Sequence, residues 1–292
     1  MSKIEILFKQ YNCNLNDDVV KQDIEKILTE KLAENNNTAV FKQCLNFIDL
    51  TSLNATDTDA EIITMVQKVN NFSASFPHLH NVAAICVYPS LVPVVKKHLT
   101  ENIGIASVAA GFPASQTFIE IKVAETAMAV MEGATEIDVV ISIGKFLEGK
   151  LEEVYEELSE IKAACRHAHL KVILETGALI SASNIKKASI LAMASGADFI
   201  KTSTGKIPVA ATLEATYVMC HAIKEWFEKT GLKISYKPAG AIVTTEDAVK
   251  HYTLVKSILG DEWLNNSMFR IGASRLANNL LSSIEGNEIK YF

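Results

Sequence analysis

Six ionisable residues stand where a folded protein would ordinarily keep apolar ones. Asp49, Asp138, Lys171, Glu175, Lys201 and Lys237 each fall within, or at the end of, a short run rich in β-branched and apolar residues. A charge buried in such a run is costly unless it is paired or used. Lys201 lies in FIKTS (199–203), Lys237 in ISYKP (234–238) and Asp138 in EIDVVIS (136–142). If these runs are strands, alternate residues face opposite ways. Ile137, Val139 and Ile141 then share one side, and Asp138, Val140 and Ser142 the other. By the same alternation Ile200 opposes Lys201, and Ile234 and Tyr236 oppose Lys237. The apolar sets suit a face covered by helices, so two lysines and an aspartate converge from three strands.

A lysine taken alone is ordinarily a solvated surface residue. Two ammonium groups brought together repel, and partial desolvation adds to that repulsion, so one of them gives up its proton more easily. To act as a nucleophile near pH 7, a lysine must have its pKa lowered by roughly 3 pH units, about 4 kcal/mol in favour of the neutral form. The pattern assigns Lys201 as that amine and Lys237 as the cation beside it. Asp138 is then placed to move protons, directly or through a water. A plain ion pair with Lys171 or Lys201 is the alternative reading of Asp138, since structural pairs also set carboxylates beside lysines.

Eight strand-like runs must position these groups: 47–53, 82–88, 104–112, 136–143, 171–176, 199–203, 234–238 and 269–274. Between them lie amphipathic stretches such as SQTFIEIKVAETAMAVMEG, LEEVYEELSEIKAACRHA and TLEATYVMCHAIKEWFEKTG. Strand alternating with helix implies parallel strands joined by right-handed crossovers. Eight such units predict an α/β fold of the closed (β/α)8 TIM barrel type, whose active sites lie at the C-terminal ends of the strands. No GxGxxG follows the first run, so the dinucleotide-binding alternative lacks its fingerprint. Residues 1–40 read as a polar N-terminal helical extension with one helix near 17–33. Residues 41–292 read as the barrel, with a mobile C-terminal tail from about 277.

With 28 basic and 34 acidic residues the net charge is −6, which argues against a nucleic-acid partner. No segment is long and apolar enough to span a membrane, so no membrane partner is expected. Cys13, Cys44, Cys86, Cys165 and Cys220 are scattered and odd in number, as free thiols in a reducing, cytoplasmic compartment would be. The histidine pairs His78/His80 and His167/His169 fall between strands, away from strand C-termini. Metal-dependent chemistry would need a ligand cluster there, so neither metal nor cofactor is expected.

Seven motifs occur in order over about residues 45–275: FIDLTSL (47–53), AAICVYP (83–89), EIDVV (136–140), KVILETG (171–177), GADFIKTSTGK (196–206), KPAG (237–240) and RIGAS (270–274). Together they resemble the deoxyribose-phosphate aldolase family. The resemblance implies reversible cleavage of 2-deoxy-D-ribose 5-phosphate to D-glyceraldehyde 3-phosphate and acetaldehyde. It carries the Schiff-base role to Lys201, the pKa-lowering role to Lys237 and proton transfer to Asp138. It also places Asp49 and Cys86 near substrate, although a small buried residue is an equal reading of Cys86; Lys171, ionisable within its own strand run, is a further substrate-contact candidate. The implied phosphate contacts are Thr204, Gly205, Lys206, Gly240, Gly272 and Ser274. Glycines let backbone approach an anion, and a helix N-terminus adds positive potential.

The sequence departs from the family pattern at Ala241, where a glycine is usual, at Val243, where an arginine is common in bacterial members, and at Arg275, where a second serine is usual. Arg275 is a candidate for the displaced positive charge. Tyr291 is the one candidate for the family's proton-assisting C-terminal tyrosine. The expected partners are a sugar phosphate and a small aldehyde, and either a monomer or a homodimer fits. A Schiff-base aldolase for an unphosphorylated acceptor, or a non-catalytic sugar-phosphate-binding barrel, are the competing readings.

Overall fold

The protein is described by a computed structural model covering residues 3–292. Eight strands form in chain order: β1 (Ile48–Thr51), β2 (Ala84–Val87), β3 (Gly104–Ala109), β4 (Glu136–Val140), β5 (His169–Ile173), β6 (Phe199–Lys201), β7 (Ser235–Lys237) and β8 (Ile271–Ala273). All seven laddered pairings are parallel, in the order β7-β6-β5-β4-β3-β2-β1-β8. Short bridges close the ring between β7 and β8. Tyr236 N donates to Met268 O at 2.9 Å, Arg270 N to Tyr236 O at 3.0 Å, and Gly272 N to Pro238 O at 2.9 Å. The architecture is the expected TIM barrel, with each strand inside the run that predicted it except β5, which begins two residues earlier.

Helices wrap the ring because each offers an apolar stripe to the outward side chains of the strands. Ile137, Val139, Ile200, Tyr236 and Ile271 join this outer core, all fully buried. The helix Asp59–Asn70 is started by a capping box in which Thr58 and Glu61 satisfy each other's backbone N–H groups. The helix Thr245–Leu259 uses Thr244 and Asp247 in the same way.

The leading helix runs from Asp17 to Asn35, capped by the Asn16 side chain. It packs outside the barrel, where Tyr217 donates to Asp23 at 2.7 Å and Asn35 meets Thr253 at 3.2 Å. A third helix, after a short one at Lys3–Phe8 and the one at Asp17–Asn35, spans Thr38–Asn46 and leads directly into β1, so a boundary at residue 40 would cut through it.

The ring interior is unusual for a barrel core. On the β2–β3 side it is apolar, formed by Cys86, Ala106 and Val108 with Leu53. Elsewhere it carries charge. Register brings the inward residues side by side, with Asp138 paired to Lys171 across β4–β5 and Lys201 to Lys237 across β6–β7.

Candidate active site

Lys201 ends β6, and its side chain is 3% exposed at the floor of a cavity of about 300 Å³. Its Nζ donates to Asp138 Oδ2 at 2.7 Å, and Lys237 Nζ donates to the same oxygen at 2.8 Å. The three groups singled out by strand alternation therefore meet at one atom. Burial is the strongest influence on Lys201 and lowers its pKa from the usual 10.5; Asp138 opposes this, and the Lys237 ammonium lowers it further. Burial also disfavours charge on Lys237, but Asp138 and Asp49 outweigh it and hold that ammonium protonated. The two lysines thus diverge, one toward neutrality and one toward permanent charge. Burial pushes the Asp138 carboxyl up, yet Lys201 and Lys237 overcome it and keep the group ionised. Its other oxygen, Oδ1, has no hydrogen-bond partner among the described residues.

Beneath this triad lies a second layer of ions. Asp49 Oδ2 meets Lys237 at 2.5 Å and Lys171 at 2.7 Å, and Asp49 Oδ1 accepts from Arg270 at 2.7 Å. Arg270 also grips Glu136 through Nη2 at 2.8 Å, and Lys171 pairs closely with Glu136. Glu136 and Arg270 are participants that strand reading passed over. Each sits at the start of a strand run, where a charge looks like an ordinary end residue. The signal was present, because Glu136 shares the alternation of Asp138, and Arg270 that of Gly272 and Ser274.

Three expected substrate contacts lie off the cavity wall in this layering, as Asp138 and Lys237 also do. Asp49, Cys86 and Lys171 are fully buried, and none lines the cavity. Alternation gives the side a residue faces but not its height. Lys171 lies opposite Phe199, two residues below the level of Lys201. Burial also raises the Cys86 thiol above its usual pKa, so it packs as a small apolar residue.

The expected anion-holding residues do converge. Thr204, Gly205, Lys206, Gly240, Gly272 and Ser274 all line the cavity with Lys201, and Arg275 joins them. Two glycines are required by close approach. A Cβ on Gly240 would stand 3.0 Å from Gly205 Cα, and one on Gly272 would stand 2.7 Å from Ala239 Cβ. The loop after β6 is held from below by Glu175, whose two oxygens accept from Thr204 N at 3.2 Å and Thr204 Oγ1 at 2.5 Å. Lys206 Nζ donates to the Leu53 carbonyl across the mouth. The helix Arg275–Glu285 opens at the cavity, and its Ser274 cap makes no side-chain bond, so first-turn N–H groups remain available to an anion. Ala241 keeps a left-handed backbone, φ +63°, the conformation in which glycine is at ease.

Tyr291 does not enter the cavity, and the stretch from 277 is not a mobile tail. The helix continues to Glu285, and the residues beyond it fold back. Tyr291 Oη donates to Lys68 O at 2.7 Å, while the Phe292 ring stacks on Phe72. Asn278 Oδ1 accepts from both Tyr291 N and Phe292 N at 2.9 Å. These aromatic contacts outside the ring are what displace the tyrosine from the expected place.

Comparison with known proteins sets this geometry in a lineage. Residues 43–252 match the profile described as DeoC/LacD family aldolase. The chain belongs to that family. The aldolase is 45% identical over 254 residues to human deoxyribose-phosphate aldolase, covering 82% of this chain and 78% of the human one. It is 44% identical over 273 residues to a Caenorhabditis elegans protein provisionally named for the same activity, covering 91% and 90%. The deoxyribose phosphate aldolase of Aeropyrum pernix, described as a unique tetramer, aligns with TM-score 0.67 at 23% identity, covering 88% of this chain and 96% of its own. At that identity the last match speaks for the barrel alone. No helix of the described aldolase is long and apolar enough to cross a membrane.

Proposed function

We propose that this aldolase cleaves 2-deoxy-D-ribose 5-phosphate reversibly to D-glyceraldehyde 3-phosphate and acetaldehyde, through a Schiff base on Lys201. The observation that carries the reading is the cavity-facing Lys201 amine, desolvated and set beside the Lys237 ammonium on a shared carboxylate. The named activity of the human relative supplies the substrate.

The neutral Lys201 amine attacks the C1 aldehyde of the open-chain sugar and forms a carbinolamine. Asp138 takes up the proton that the attacking nitrogen sheds and passes it to the departing hydroxyl, directly or through a water; water leaves and an iminium remains. Asp138, ionised again, accepts the C3 hydroxyl proton, directly or through a water; the C2–C3 bond breaks and its electrons move into the iminium to give an enamine. Glyceraldehyde 3-phosphate departs. Protonation of the enamine at C2 and attack by water then release acetaldehyde and restore the amine. Asp138 Oδ1, which makes no hydrogen bond and has only the Lys171 ammonium 3.8 Å away, has the lone pair suited to this traffic. Lys237 stays charged throughout, so it discourages protonation of Lys201 between steps. The 5-phosphate lies at the N-terminus of the helix Arg275–Glu285, with Gly205, Gly240 and Ser274 offering backbone and hydroxyl donors. Lys206 and Arg275 supply charge. Asp49 and Lys171 act through Lys237 and Asp138 rather than on the sugar.

All five cysteines are unpaired and buried, which suits the reducing cytoplasm. A homodimer is the assembly proposed for the working enzyme. The deciding experiment is borohydride reduction in the presence of acetaldehyde, with the modified residue mapped by mass spectrometry. A stable adduct on Lys201 is expected; an adduct on another lysine, or none, overturns the mechanism. Comparing turnover of deoxyribose with its 5-phosphate tests the acceptor, and near-equal rates would remove the phosphate from the reading.

A further inference from the structure

The buried ions inside the ring can be counted by sign. Asp49, Glu136 and Asp138 are the carboxylates, and Lys171, Lys237 and Arg270 are cations paired with them. Three negative groups therefore meet three positive ones, and Lys201 is a fourth basic group for which no carboxylate is left over. Its one hydrogen-bond acceptor, Asp138 Oδ2, is already occupied by Lys237 at 2.8 Å. All six paired residues are less than 9% exposed, so solvent does little to screen an imbalance.

We propose that Glu136 and Arg270, at the far end of this ion cluster, are positioning residues that set the protonation of the Lys201 amine by fixing the cluster's net charge at zero. The inference rests on the Schiff-base reading of Lys201. Neither residue lines the cavity, and neither meets Lys201 directly. Their influence passes along a continuous chain of contacts. Arg270 holds Asp49 at 2.7 Å, Asp49 holds Lys237 at 2.5 Å, Lys237 holds Asp138 at 2.8 Å, and Asp138 holds Lys201 at 2.7 Å. Glu136 opposes Arg270 at 2.8 Å and also pairs with Lys171, which reaches Asp49 at 2.7 Å and stands 3.8 Å from Asp138.

The other charged or titratable groups around the amine come from the remaining elements. Cys86 faces it from β2, its thiol kept neutral by burial. Glu175, at the end of β5, is committed to Thr204. Lys206 and Arg275 stand above, at the cavity mouth. β3 contributes only the apolar Ala106 and Val108, and β8 contributes Gly272. The lower cluster is thus where a change of one charge would be felt without touching substrate.

The size follows from Coulomb's law. A unit charge on the order of 10 Å away, at an effective dielectric of about 20, moves an amine's midpoint by about one pH unit. The direction follows from sign. Arg270→Met leaves the cluster one charge negative, so Lys201 holds its proton to higher pH. Glu136→Gln leaves it one charge positive, so Lys201 loses its proton at lower pH.

The test is the pH dependence of borohydride trapping by acetaldehyde at Lys201, with circular dichroism to confirm folding. Against the parent, the midpoint is expected to rise by about one pH unit in Arg270→Met and to fall by about one in Glu136→Gln. The double variant Arg270→Met/Glu136→Gln removes both charges, orphans neither, and is expected to trap with the parent's midpoint. Arg270→Lys keeps the charge and should also keep the midpoint. Folded single variants whose midpoints stay put or move the same way overturn the proposal. Should the single variants not fold, a displaced midpoint in the double variant overturns it alone, and an unmoved one supports it. A parent that forms no Lys201 adduct refutes the Schiff-base reading instead, so the two failures are distinguishable.

Discussion

The floor and the rim of this cavity are built by opposite means. The floor is Lys201 resting on a layer of ionic side chains from β1, β4, β5, β7 and the residue before β8, locked together where solvent does not reach. The rim is made of loop backbone, with Gly205, Gly240 and Ala241 in left-handed turns and a helix N-terminus facing inward. A dry floor makes each charge strong and each pairing obligatory, which is what a reactive amine needs. An open rim made of backbone N–H groups suits the proposed phosphate without altering that chemistry. Reaction and recognition are thereby separated by depth within one mouth.

This contrast predicts that floor substitutions destroy turnover for every substrate, whereas rim substitutions act only on phosphorylated ones. The largest expected effect is Lys201→Leu, with kcat reduced by roughly 10⁴-fold or more for deoxyribose and its 5-phosphate alike. Residual turnover within a factor of about ten of the parent would place the nucleophile elsewhere.

Acid should act on the floor next. Asp49 and Asp138 are buried, which favours their neutral forms, but the neighbouring lysines overcome this and hold both below the ordinary value of 3.8. A depressed carboxylate contributes stability that is complete above its unfolded pKa and is lost as pH falls through the folded one. The melting temperature should therefore be nearly level down to about pH 4 and drop steeply beneath it. An Asp138→Asn variant should show a shallower acid limb, because one of the two carboxylates responsible is gone. Limbs of equal steepness would mean that the cluster does not govern acid unfolding.

The rim effects are smaller. Arg275→Ala should raise KM for the 5-phosphate by about tenfold, as loss of one charge-assisted contact of about 1.4 kcal/mol would, and leave deoxyribose unchanged. Equal effects on both substrates would place Arg275 outside phosphate recognition. The smallest is Ala241→Gly, which releases a left-handed alanine. Chemical denaturation should show a gain of up to about 1 kcal/mol with KM unaffected.

What the sequence disclosed follows the same division. The barrel was legible because eight β-branched runs alternate with amphipathic stretches, and that pattern has few other solutions. Lys201, Lys237 and Asp138 were legible because an ion in mid-strand breaks the expected apolar run. Depth was not. Asp49 and Lys171 share the inward side with the triad, but strand tilt and register decide that they lie beneath it. Glu136 and Arg270 were hidden at strand starts, where charges are commonplace. Tyr291 was misplaced because nothing local to it encodes Phe72 and Phe76, its ring partners more than 200 residues away.

Those last residues have a mechanical consequence. The ring is sealed between its final and first strands by β8, only three residues long. Outside that seam, Asn278 grips the backbone of Tyr291 and Phe292, and their rings and the Tyr291 hydroxyl fasten to the segment 68–76. The first and last βα units are thus buckled from without as well as sewn from within. Arg275 stands one helical turn from Asn278, so strain on the buckle reaches the cavity wall proposed to hold the phosphate. Proteolytic nicking after Glu285 should accordingly slacken that wall while leaving the deep amine in place.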